Sequence, residues 1–286
     1  MMMAFSIGGC NNAKNEGADN KVSGQSANTL EKIRSSKEIH VGYFVSEPAI
    51  MEDPNSGKKT GVLVDLIESI AKSLDAKVIY HEIDLANFVA GLQSHQFDIC
   101  IGSTFATPKR ASSVLFTRAI YYSGYTGVSK KGRSIKIKNW HDLDHAGLKI
   151  AVKQGSAIDD FVGKNFKESE IIRLSGPDLS LPLVAVSSNQ ADVGLVNKES
   201  VFAYLRVHPE LEEVLPNNPI TPTNYSWSVR PDDVRLLEFL NSCLEYMENT
   251  GVIYQYEQKY GIPLLHNKRE LVYPKDENFE IQNSSK

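Results

Sequence analysis

The strongest constraint on this chain is its rhythm: short apolar runs of strand length alternate with stretches of helical apolar spacing, in two successive series. In the first, Glu38–Phe44 reads as a β-run, and Val62–Leu74 places Leu63, Leu66, Ile67, Ile70 and Leu74 on one helical face. Val78–Glu82 reads as a strand, Leu85–Gln93 as a short helix and Phe97–Gly102 as a buried strand. Thr107–Ser112 opens a helix, with Pro108 where its missing N–H costs nothing. After Lys130-Lys131-Gly132 the pattern repeats, with strands at Leu148–Val152, Glu170–Leu174 and Val193–Val196. Helices at Ser156–Phe166, Leu181–Val186 and Lys198–Arg206 alternate with them. Pro209, Pro216, Pro219 and Pro222 punctuate a loop-rich return to a strand at Tyr225–Val229, and amphipathic helices follow at Asp233–Glu248 and Val252–Lys259. Such alternation predicts βαβ units and mostly parallel sheets flanked by helices. Two units in succession make two lobes, and ligands of open α/β sheets sit in the crevice beyond the carboxyl ends of the strands.

Charge narrows the function classes. Against 31 Lys+Arg stand 35 Asp+Glu, a net charge of −4, which lacks the strongly basic face of a nucleic-acid binder. No uninterrupted apolar run approaches the ~18 residues that cross a bilayer. Ile7-Gly8-Gly9-Cys10 resembles a bacterial lipoprotein signal, though without a basic region before it and with about half the usual apolar stretch. Residues 1–10 are read as a partial signal with Cys10 the lipidation site. Residues 11–28, polar and small apart from one Val, are read as a flexible tether. The tail 266–286 has weak periodicity and is expected to lie over the surface or stay unstructured. Cys100 and Cys243 read as buried thiols, and His141 and His145 with Asp142 and Asp144 as a solvated turn rather than a metal site. No Gly-x-Ser-x-Gly, Gly-x-Gly-x-x-Gly or P-loop pattern is present, so no cofactor is expected.

Three stretches carry a family resemblance. The first is Gly61-Val-Leu-Val-Asp65-Leu-Ile-Glu-Ser-Ile70-Ala71; the second is Leu92-Gln-Ser-His-Gln-Phe-Asp98-Ile99, then Thr107-Pro108-Lys109-Arg110 and Phe116 to Tyr121-Tyr122. The third joins Asp142-Leu143, Leu148-Lys-Ile150-Ala-Val152-Lys153-Gln-Gly155-Ser156 and Asn189-Gln-Ala-Asp192. Together, from Leu30 to Pro263, they resemble the bacterial extracellular solute-binding proteins of family 3, the periplasmic amino-acid-binding proteins of ABC importers. The resemblance implies a type II periplasmic-binding-protein-like clamshell, an α/β fold in which each lobe is a mostly parallel sheet flanked by helices. Lobe 1 would comprise 29–127 and 227–265 and lobe 2 128–226, with crossings near Tyr125–Ser129 and Tyr225–Val229. It further implies a periplasmic or cell-surface, lipid-anchored monomer with a small carboxylate ligand and importer permease subunits as partners.

In the family, the arginine of Thr-Pro-x-Arg grips the ligand's α-carboxylate, and Arg110 stands at that position. A guanidinium suits the task, because its planar fork of donors matches a carboxylate bidentately. Helix starts, whose free N–H groups favour anions, fall at Ser103–Thr107, which includes Thr104 and Phe105, and again at Gly155–Ala157, which includes Ser156. Lys153 stands where some relatives set a lysine against the ligand side chain, and Tyr43 and Leu85 fall near the expected lobe 1 clamps. One departure bears on the ligand. Where the family has an aspartate for the ligand's ammonium this chain has Asn197, an acceptor without the full negative charge. A carboxylate lacking an α-amino group is therefore an expected ligand alongside amino acids.

The rival enzyme reading is a cyclohexadienyl dehydratase, which resembles the same family and which Arg206-Val-His208-Pro209-Glu210-Leu211 partly echoes. Its general acid aligns with Ser200. Glu199 stands one residue earlier, a turn of ~100° along a helix, and is expected to point elsewhere. A third reading is a ligand-sensing module that reports to a separate partner.

Overall fold

The computed structural model describes residues 28–53, 55–133 and 137–261. Cys10, the tether and the tail 266–286 lie outside the described residues. Helix α1 (Thr29–Ser36) leads into β1 (Glu38–Tyr43), a small hairpin of β2 (Met51–Glu52) and β3 (Lys59–Thr60), helix α2 (Val62–Ser73) and β4 (Lys77–Glu82). The periodicity of α2 is realised as anticipated: Val62, Leu63, Leu66, Ile67, Ile70 and Ala71 are all buried on its inner face. Gly61 before it has φ of +129°, and a Cβ there would lie 2.2 Å from the Ala49 carbonyl oxygen, so only glycine fits.

Leu85–Gln93 divides into a 3₁₀ turn, Leu85–Asn87, and α3 (Phe88–Gln93). The reason is local. Asp84 accepts a hydrogen bond from the Ala86 N–H at 3.0 Å and caps the tighter turn. Strand β5 (Ile99–Phe105) ends at α4 (Pro108–Ala111), followed by β6 (Leu115–Phe116) and the ten-residue β7 (Tyr121–Lys130). The second series is β8 (Lys149–Lys153), α5 (Ala157–Asn165), β9 (Glu170–Leu174), α6 (Leu181–Ser187), β10 (Val193–Asn197), α7 (Lys198–Leu205) and β11 (Leu211–Glu213). Strand β12 (Ile220–Val229) and helices α8 (Val234–Asn249) and α9 (Val252–Tyr260) close the described chain.

Among the described residues the main sheet runs β4-β1-β5-β12-β7-β10-β8-β9, with β6 on β12 and β11 on β7. Pairing is parallel within β4-β1-β5 and within β10-β8-β9, as the alternation implied. The joining strands β12 and β7 are antiparallel to their neighbours and to each other. Antiparallel pairing needs no crossover helix, so a chain leaving one parallel unit can return beside itself. Tyr125–Ser129 of β7 pairs with β10, whereas Tyr225–Ser228 of β12 pairs with β5. Between these stretches β7 and β12 pair with one another. Half of β12 was not legible as strand, because Thr221, Pro222 and Asn224 read as loop. Pro222 is accommodated at a register shift between Ile220 and Thr223, where no ladder donor is required. The main core runs through both units and includes Trp227, 0% exposed.

Candidate functional site

Thr107 caps α4 by accepting from the Arg110 N–H, and Pro108 begins the helix. That short turn aims Arg110 into the cleft. Its Nη1 donates to the Phe105 carbonyl at 3.0 Å and its Nη2 to the Gly155 carbonyl of the facing unit at 2.9 Å. The guanidinium also lies 5.3 Å from the centre of the Phe88 ring. Gly155, with φ of +74°, turns the chain from β8 into α5, where Ser156 caps by accepting from the Asp159 N–H at 3.2 Å.

Arg110 and Leu85 line a cavity from one side of the cleft, Lys153, Ser156 and Asn197 from the other, and Tyr125 and Tyr225 from the joining strands. The structure thus brings five of the expected site residues together. Burial pushes the Tyr125 hydroxyl up to about 12, against the pull of Arg110, the N–H groups of Ala157 and Ile158, and Ser156. Lys153 is 2% exposed, and its Nζ lies 3.2 Å from Asp84 and bonds the Gly176 carbonyl. Burial alone would raise the Asp84 carboxyl, but the N–H groups of Ala86 and Gly176 and the Lys153 ammonium hold it below the usual range.

The remaining expected residues are placed elsewhere. Tyr43 donates to Glu52 at 2.7 Å and does not line the cavity. Thr104 is fully buried and donates to the Ser226 carbonyl at 3.0 Å, tying β5 to β12. Phe105 lies one layer behind, its ring packed 4.9 Å from Tyr125 and 4.4 Å from Tyr225. Ser103 lies on β5, and its side chain is outside what the structure describes.

Asn197 is held at both ends of its amide. Nδ2 donates to Glu199 Oε2 at 2.9 Å, and Oδ1 lies 3.0 Å from the Ser200 hydroxyl, which also reaches the Glu47 carbonyl across the cleft at 2.9 Å. Glu199 departs from its expected direction: it turns inward and is 8% exposed. Burial raises its carboxyl above the usual range, against Ser123 and Asn197, which hydrogen-bond it. The residues that sequence reasoning missed are Tyr125 and Tyr225, for which the signal was their place on the strands joining the two units.

Further contacts cross the cleft. Lys109 meets Asp160 at 2.9 Å, and the Leu179 N–H donates to the Val45 carbonyl at 3.1 Å. The space between these residues is about 20 Å³, room for a water but not for a molecule of amino-acid size. Admission of such a molecule therefore requires the two sides to part. A larger groove of about 420 Å³ opens alongside, between α4, α5 and the start of β12, where Lys109 and Asp160 pair with each other.

The model of the bacterial extracellular solute-binding proteins, family 3, matches residues 39–263. The chain belongs to that family. Among family 3 relatives, a probable amino-acid ABC transporter-binding protein of Haemophilus influenzae is 28% identical over 227 residues, spanning 79% of this chain and 85% of the relative. The cyclohexadienyl dehydratase of Pseudomonas aeruginosa is 22% identical over 242 residues, spanning 84% and 89%. A mutant of ArgBP from T. maritima superposes with a TM-score of 0.75 at 23% identity, covering 81% of this chain and 98% of that one, which shows the two-lobed fold. Family 3 membership places the chain among the bacterial extracellular solute-binding proteins.

Proposed function

We propose that this chain is the substrate-binding protein of an ABC importer that captures a small carboxylate-bearing solute, an amino acid or related organic acid, by closing its cleft. The observation that carries the reading is Arg110, whose guanidinium lines the cavity and bonds one backbone carbonyl on each side of the cleft. A carboxylate is a stronger acceptor than either carbonyl, because a charge-assisted bond is about twice as strong as a neutral one. An entering carboxylate therefore takes over the Gly155 side of the fork, while Ser156 and Lys153 face it from the other lobe. Donors from both lobes converge only when the lobes meet, so the solute shifts the population towards closure.

The lobes in this reading are 29–127 with 227–265, and 128–226, hinged where β7 and β12 pair with each other. The solute is handed unchanged to permease subunits by a monomer held at a bacterial membrane through lipid on Cys10. The test is native mass spectrometry of the gently purified chain, then thermal shift with amino acids, oxo acids, dicarboxylates and prephenate. A co-purified small acid that raises the melting temperature supports the reading. Silence across all four classes overturns it.

A second reading, a dehydratase on the same fold, draws on Glu199, a buried carboxyl that turns inward beside the cavity. Prephenate consumed rather than bound would put that reading first.

A further inference from the structure

Asn197 lines the cavity but carries no charge, and Glu199 stands directly behind it. The two are joined by the 2.9 Å bond from Nδ2 to Oε2. Glu199 makes no ion pair among the described residues; its neighbour Lys198 pairs with Glu213 at 3.4 Å and favours the ionised carboxyl only through its charge. The other groups that face it are the Ser123 hydroxyl on β7 and the Tyr225 hydroxyl on β12. Tyr225 is in turn surrounded by Tyr121, Tyr125 and Arg110, and it also lines the cavity. The arrangement is thus a buried carboxyl with one amide between it and the solute, on which burial outweighs the pull of the Lys198 ammonium.

An amide is polar at both ends. With Nδ2 donating to a carboxylate, the Asn197 dipole turns its negative end, Oδ1, away from Glu199, and that oxygen keeps a lone pair beyond its contact with Ser200. An ammonium seated against Oδ1 strengthens the Asn197–Glu199 bond and favours the ionised carboxyl, and an ionised carboxyl favours the ammonium. Resting on the carboxylate-binding reading above, we infer that Glu199, acting through Asn197, supplies the charge for an α-ammonium group, so that the solute is an α-amino acid whose capture expels a proton from Glu199 to solvent.

Linkage sets the sign. The free protein holds Glu199 protonated to a higher pH than the complex does, because burial outweighs Lys198 and favours the neutral acid, whereas the solute's ammonium favours the ionised one. Affinity for an amino acid rises with pH up to the titration of Glu199 in the free protein, by about tenfold per unit on the steep limb, and is flat above it. A carboxylic acid lacking the α-amino group does not gain affinity in this way.

The experiment takes the standard L-amino acids, finds those that raise the melting temperature, and pairs each with the acid that lacks only its α-amino group. Calorimetric titration at several pH values, in buffers of different ionisation enthalpy, then counts protons for the wild type and Glu199→Gln. The expected result is a proton released on amino-acid binding and an affinity for the amino acid about ten- to a hundredfold above that for its deaminated partner. Both the proton release and the pH dependence are expected to be absent in Glu199→Gln. The proton count in the wild-type protein stands whether or not that variant folds. A deaminated acid bound as tightly as its amino acid, or binding with no proton exchange, overturns the inference while carboxylate capture stands. Silence from amino acids and deaminated acids alike overturns both.

Discussion

Lys153, at the end of β8, reaches across the cleft to Asp84, in the turn after β4, and the two charges stand 3.2 Å apart with the lysine almost wholly buried. Arg110 makes the corresponding crossing in the other direction, from α4 to the Gly155 carbonyl. One crossing ends on a carboxylate and the other on a neutral carbonyl, so a carboxylate ligand can displace the second far more readily than the first.

The Asp84–Lys153 pair is accordingly a contact that stabilises the closed protein. Removing the carboxylate leaves a buried ammonium short of a partner, at a cost of about 1–3 kcal/mol. Asp84→Asn is expected to lower the melting temperature at pH 7. Because the Asp84 carboxyl is held below its ordinary value of 3.8, its contribution is complete above that value and is lost as pH falls through the depressed one. The gap between wild type and variant should therefore narrow in strong acid, as read by melting curves from pH 7 down to about 3.

Arg110→Ala is expected to weaken carboxylate binding by roughly 2–5 kcal/mol, the usual result of removing one member of a desolvated charge pair. Arg110→Lys should recover little, since a lysine ammonium cannot reproduce the bidentate fork. Titration of whichever acid the thermal-shift panel identifies checks both, and undiminished affinity in the alanine variant removes Arg110 from the site.

Asn197→Asp places a carboxyl beside that of Glu199, and two carboxyls in contact share a proton. With Glu199 holding that proton, the new aspartate carries its charge to the cavity. Binding of α-amino acids is expected to improve, measured by the same titration; no gain means that residue 197 does not face the solute.

Gly155 combines a left-handed backbone with a close approach to the opposing lobe: a Cβ built there lies 3.0 Å from Ala86. Gly155→Ala is expected to cost about 1–2 kcal/mol for the backbone alone and to hold the lobes apart in addition. Small-angle scattering should report a larger radius of gyration in the presence of the solute than wild type shows.

Asp98 belongs to a motif shared with the family, yet the structure gives it a task far from the cleft. It is 2% exposed, meets Arg230 at 3.4 Å and accepts from the His40 N–H at 3.1 Å. Asp98→Ala is expected to destabilise the fold by about 1–3 kcal/mol, because the buried Arg230 keeps only Asp233, at 2.8 Å, of its two carboxylate partners and the His40 N–H loses its acceptor. Solute affinity of the folded fraction should be unchanged, which chemical denaturation and titration together decide.

Much of the architecture was legible because local signals sufficed. Apolar spacing located α2, a strand-to-helix turn located Ser156, the Thr107-Pro108-Lys109-Arg110 motif pointed to Arg110, and two α/β series implied two lobes. Local signals could not determine which way a strand side chain faces or what meets it from afar. Thr104 and Phe105 are neighbours on β5 with opposite fates, one bonded to Ser226 and the other packed on Tyr225, because strand side chains alternate faces and pairing chooses the face. Glu199 was expected to point away from the general-acid position aligned with Ser200, but the break between β10 and α7 lets its side chain fold back beneath Asn197. Tyr125, Tyr225 and the Asp84–Lys153 pair come from positions far apart in the chain, and antiparallel joining strands bring them to one cleft. The amino-acid order thus set the elements and the turn that carries Arg110. Only the joining of two parallel units through shared antiparallel strands decided which residues enclose the site, since long-range register is a property of the folded sheet.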